Sequence, residues 1–82
     1  GNYEKPLNKK VLLSNPNVSL VTMKKQYQGD AVILRLFNNS IDDADTSITI
    51  GDDKTFLAFG KFEVKTLLYE NGLFTESQEC II

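Results

Sequence analysis

The chain has 82 residues and a mass of 9.2 kDa, enough for one small domain with a single modest core. Apolar residues make up 41% and charged residues 24%, the balance of a folded domain rather than a disordered chain, and no run of about 18 apolar residues offers a membrane span. The net charge of −2, with basic pairs only at Lys9-Lys10 and Lys24-Lys25, argues against a nucleic-acid-binding face.

Residues 1–16 are polar and interrupted by Pro6 and Pro16, with Val11-Leu12-Leu13 as their one apolar run. They read as an arm or linker able to add a short edge strand. Asn15-Pro16-Asn17 is a turn signal, and from there to residue 82 the pattern is short strands between turns. Val18 to Met23 is the first strand, and Gln28-Gly29-Asp30 is a turn. Ala31 to Phe37 is the strongest strand. Asn38-Asn39-Ser40 ends it, and Asp42, Asp43 and Asp45 extend that polar loop. Thr46 to Ile50 alternates and stops at Gly51-Asp52-Asp53. Thr55 to Phe59 follows, then Gly60, and Lys61 to Tyr69 is a long alternating strand closed by Asn71-Gly72. The tail from Leu73 to Ile82 has room for one more short strand. The pattern predicts an all-β fold: a small antiparallel β-sandwich, Ig-like, of six or seven strands over residues 17–82.

The two-residue period assigns faces. Phe62, Val64, Thr66 and Leu68 share the side expected to face the core, with Glu63, Lys65, Leu67 and Tyr69 on the other. In the central strand, Val32, Leu34 and Leu36 share one side and Ala31, Ile33, Arg35 and Phe37 the other. Both sides are largely apolar, yet a two-sheet sandwich buries only one face of each sheet. The second face therefore needs a cover: the arm, the tail, or a surface outside this chain. Ile33, Arg35 and Phe37 are the candidate interdomain contact. Arg35, the only arginine, has two readings: an internal ion pair with Glu63 or Glu70, or a contact to another domain.

Catalytic and metal signals are sparse. Without histidine the chain has no Ser-His triad and no histidine zinc site. Cys80 is alone, so neither an intrachain disulfide nor a thiolate metal cluster can form, and it reads as a small buried hydrophobe. The absence of disulfide staples and of a recognisable signal peptide leads us to expect a reducing, cytoplasmic setting. Asp42, Asp43 and Asp45 with Asp52 and Asp53 are turn formers or a cation site, although their spacing does not match the twelve-residue EF-hand loop. No pair among the eleven acids stands out for glycosidase chemistry. Tyr3, Tyr27 and Tyr69 are scattered and there is no tryptophan, which disfavours a sugar platform. Sequons at Asn17 and Asn38 matter only in a secreted protein. We expect no catalysis and no cofactor in this chain alone.

Three segments carry a resemblance. Val18-Ser-Leu-Val-Thr-Met-Lys-Lys25 with Gly29-Asp30 precedes Ile33-Leu-Arg-Leu-Phe-Asn-Asn39, then comes the alternating Thr46-Ser-Ile-Thr-Ile50, and last Phe62-Glu-Val-Lys-Thr-Leu67. In this order and spacing, over about residues 17 to 70, they resemble the C-terminal β-domain of family 38 glycoside hydrolases, the α-mannosidases. Phe37 stands where that family often has Tyr, and Asn39 and Lys61 where it often has Pro. The resemblance implies a parent enzyme that retains stereochemistry, with zinc and an aspartate nucleophile in a large N-terminal domain. No catalytic or metal residue carries over to this chain. Its implied role is a structural accessory domain packing on the preceding domains of the same polypeptide, with self-association of the isolated domain as a possible consequence of its uncovered surface. The alternative is a free-standing module binding a glycan or a protein.

Overall fold

The computed structural model describes residues 10–25 and 29–77. Seven strands form: β1 (Val11–Leu13), β2 (Val18–Lys25), β3 (Val32–Asn38), β4 (Ala44–Ile50), β5 (Asp53–Phe59), β6 (Val64–Glu70) and β7 (Leu73–Ser77). All pairings are antiparallel, in a three-stranded sheet ordered β1-β4-β5 and a four-stranded sheet ordered β2-β3-β6-β7. The fold is an all-β sandwich. The sheets have the membership of a seven-stranded immunoglobulin sandwich except for β2, which flanks β3 instead of joining β1, β4 and β5.

Local chemistry explains the hairpins. Asn71 and Gly72, with φ of 55° and 78°, supply the two left-handed residues of a type I′ turn between β6 and β7. Gly51 (φ 62°) opens the two-residue turn between β4 and β5. Residues 10–16, expected as an arm, belong to the sandwich. β1 is an edge strand against β4, Val11 and Leu13 pack on the core, and Ser14 and Asn15 donate backbone hydrogen bonds to the Ser47 carbonyl and Thr46 Oγ1.

The core lies between the sheets. Val18, Val32, Leu34, Leu36, Leu67 and Tyr69 come from the four-stranded sheet, and Ala44, Ile48, Ile50 and Phe59 from the other. The expected phase of β6 is inverted: Leu67 and Tyr69 are buried while Phe62 and Val64 are half exposed. Lys65 makes this possible. It occupies a core-side position, but its stem runs along the rim so that Nζ reaches Glu76 (2.8 Å) and Glu63 (3.4 Å) and lies 5.6 Å from the centre of the Phe59 ring. The hydrogen bond from Gly60 N–H, then Lys65, hold Glu63 below its ordinary carboxylate range against the opposing effect of burial. The Glu76 hydrogen bond, opposed by burial, holds the Lys65 ammonium above its usual range.

Two polar ties close the ends of the sandwich. Asn38, fully buried, donates through Nδ2 to the carbonyls of Asp42 and Gly60, both at 2.9 Å, and its backbone N–H donates to Glu63 O. At the other end Tyr69 Oη donates to Asp53 Oδ2 at 2.7 Å, joining the two sheets.

Asn38→Ala removes the donor from two carbonyls at once, so urea denaturation is expected to show a loss of about 1–3 kcal/mol. Glu63 binds its proton less readily when folded, so its contribution is complete above its ordinary pKa of 4.5 and is lost as pH falls through the lower folded value. The urea midpoint should therefore drop on acidification below about pH 4.5, and Glu63→Gln should flatten part of that drop.

Candidate docking face

The outer face of the four-stranded sheet is built by register alone. Pairing of β3 with β6 sets Ile33 opposite Leu68, Arg35 opposite Thr66 and Phe37 opposite Val64. Pairing of β3 with β2 brings Lys24, Thr22 and Ser19 beside the same three β3 residues, and β7 adds Leu73, Thr75 and Ser77. Thr66, at the centre of the face, is buried, whereas Ile33, Arg35, Phe37 and Leu68 are half-buried. The apolar side chains most open to solvent here are Leu73 (70% exposed), Val64 (52%) and Phe62 (51%).

Phe62 reaches this face through an unusual backbone. Its φ of 52° is a left-handed conformation that a bulky residue rarely adopts. The turn around it is pinned: Phe62 N–H donates to Ser40 O, Glu63 N–H to Gly60 O, and Gly60 N–H to Glu63 Oε1. The Phe62 ring consequently stacks beside Phe37, with centroids 6.5 Å apart and planes 21° from parallel. Arg35 thus sits in the middle of a face of mixed character, with threonines opposite it on both neighbouring strands and apolar side chains two positions away along its own strand.

Ile33, Arg35 and Phe37, singled out from the sequence, do share one face. Phe62, Val64 and Leu73 complete it, and the inverted phase of β6 is what hid the first two from sequence reasoning. Glu63, one of the two acids proposed as internal partners of Arg35, accepts from Gly60 N–H and pairs with Lys65, and Arg35 is not without a partner of its own. The aspartates do not form one cluster. Asp45 lies in β4 and Asp53 in β5, and the length of β4, roughly 20 Å, separates the Asp42-Asp43-Asp45 group from the Asp52-Asp53 turn. Asp53 is already the acceptor for Tyr69, and among the described residues no group of three or more acids or cysteines is arranged to hold a metal ion. Tyr3, Tyr27, Cys80 and the remainder of the expected arm and tail, at 1–9 and 78–82, lie outside the described residues.

The outer face of the smaller sheet is different. Ser14, Asp45, Ser47, Phe56 and Ala58 border a shallow depression there, with Phe56 as its one ring. The Lys54 ammonium lies 5.7 Å from the centre of that ring. The Ser14 and Thr46 hydroxyls at this depression are bonded to each other and to the main chain, which leaves one exposed ring rather than a small-ligand pocket.

No family model, curated protein or solved structure matches the chain.

The separation of the aspartates predicts that millimolar calcium leaves the melting temperature unchanged, since a cation held by the folded state alone would raise it. Differential scanning fluorimetry with calcium and with a chelator checks this.

Proposed function

We propose that this chain is a non-catalytic structural β-domain of an α-mannosidase-like retaining glycoside hydrolase, docked on the preceding domains of the same polypeptide through the outer face of its four-stranded sheet. The observation that carries the docking role is that face: Arg35 amid Ile33, Phe37, Phe62, Val64, Leu68 and Leu73, with Phe62 held in a strained backbone that lays its ring beside Phe37. Partly exposed apolar side chains on a face centred on an arginine are what supports an interface over a fully solvated sheet. The resemblance of the three ordered segments supplies the kind of parent. The chemistry of the parent belongs to its other domains. Zinc, expected in the catalytic domain, has no histidine to bind in this chain, and we assign no catalytic step to it.

The first measurement is the reading frame around this segment. A coding region of several hundred residues upstream, bearing a histidine- and aspartate-containing catalytic domain, is the expected outcome; start and stop codons closely flanking the segment would overturn the proposal. The second is calorimetric titration of this chain into the separately produced upstream domains. Binding is expected, and Arg35→Glu should weaken it by roughly ten-fold or more, as for a charge reversal at an interface centre.

A further inference from the structure

The edges of the two sheets are not equivalent. β1 has three residues. β2 is broken by a register shift between Leu20 and Thr22 and ends in Lys24-Lys25. β7 has five residues and carries Glu76, the partner of Lys65. Short length, bulges and charge all blunt an edge against pairing with another chain. β5 has none of these except its first two residues, Asp53, whose carboxylate is held by Tyr69, and Lys54. It runs seven residues in unbroken register with β4, without proline or bulge, and among the described residues no strand pairs with its other edge.

The hydrogen-bond phase of that edge follows from the turn before it. Ile50 and Asp53 close a two-residue hairpin, so they exchange both backbone bonds, as do Ile48 with Thr55, Thr46 with Leu57 and Ala44 with Phe59. The N–H and C=O groups of Lys54, Phe56 and Ala58 therefore point away from β4. The side chains of these three residues share the outer face, where Phe56 is 74% exposed.

We propose that this edge pairs with the same edge of a second copy, antiparallel about a two-fold axis at Phe56, fusing two three-stranded sheets into one of six strands. In this register Phe56 faces Phe56 of the other copy, and each Lys54 faces an Ala58. The outward main-chain groups of all three residues are satisfied. Asp53 falls opposite Phe59, so no like charges meet and neither charged residue of this strand opposes the pairing. Aromatic groups directly opposed across strands add to it. The inference is independent of the accessory-domain reading, because it uses the other sheet.

The test is sedimentation velocity of the 82-residue chain over a concentration series. A contact this small belongs with the weak interfaces, so self-association is expected toward the high end of the series. Ala58→Pro deletes an outward N–H without touching the β4 ladder, and Phe56→Lys sets two cations face to face. Each should weaken self-association roughly ten-fold or more while leaving the low-concentration melting temperature near that of the parent chain. If Ala58→Pro fails to fold, Phe56→Lys decides. A chain that stays monomeric throughout, a dimer unchanged by Phe56→Lys, or a dimer abolished by Arg35→Glu instead would overturn the proposal.

Discussion

A two-layer sandwich can bury only one face of each sheet, and β3 carries apolar side chains on both of its faces. Its inner residues Val32, Leu34 and Leu36 are fully served by the opposite sheet. Its outer residues Ile33 and Phe37 are only half covered, by neighbours in their own sheet. A slip in strand register does not repair this, because a shift of one residue would exchange the two faces and expose the inner set instead. The excess apolar surface is therefore a property of the sequence at this position, and it gives the outer face its character.

The turn between β5 and β6 adds to that face. Buried Asn38 at the end of β3 holds the carbonyls of Asp42 and Gly60, and through them the loop and turn that flank Phe62. A left-handed phenylalanine costs on the order of 1–3 kcal/mol, which the surrounding hydrogen bonds must offset. A glycine would accept the same backbone without strain. The ring it carries is what a glycine would lack, and that ring extends the apolar surface of Phe37. Core, loop and outer face are thus coupled through one amide side chain.

Much of the fold was legible in the residues, and the exceptions share a cause. Strand positions followed from β-branched runs and from Asn71-Gly72 and Gly51, whose backbone freedom the turns require. The tail after Leu73 proved to contain a strand because that hairpin leaves its chain running back along β6. The phase of β6 is inverted from the expected one because the side that carries Glu63 and Lys65 also carries the buried Leu67 and Tyr69. A lysine at the rim can occupy a core-side position and still place its ammonium between two carboxylates and over a ring. Periodicity records which residues share a side, not which side meets the other sheet. For Leu67-Leu68-Tyr69, apolar throughout, only the tertiary pairing decides. The dispersal of the aspartates was hidden for a related reason: a seven-residue strand separates in space what a dozen positions bring together in sequence. Which strands neighbour each other, β2 with β3 above all, depends on pairing across the chain and has no local signature.

The two exposed surfaces ask for different partners. The outer face of the larger sheet offers side chains of varied shape around one guanidinium, so it selects a surface already shaped to match, which a covalently linked neighbouring domain can provide. The β5 edge offers main-chain groups in a repeating pattern, and the simplest complement to such an edge is another copy of itself. A domain of this size buries only about 63% of its chain surface on folding, so faces and edges left over are substantial relative to its core. Closing the β5 edge leaves the Arg35 face free, and covering that face leaves the β5 edge free, because they belong to different sheets. The fold can therefore serve a linked domain on one layer and a second copy on the other without either contact competing for the same residues.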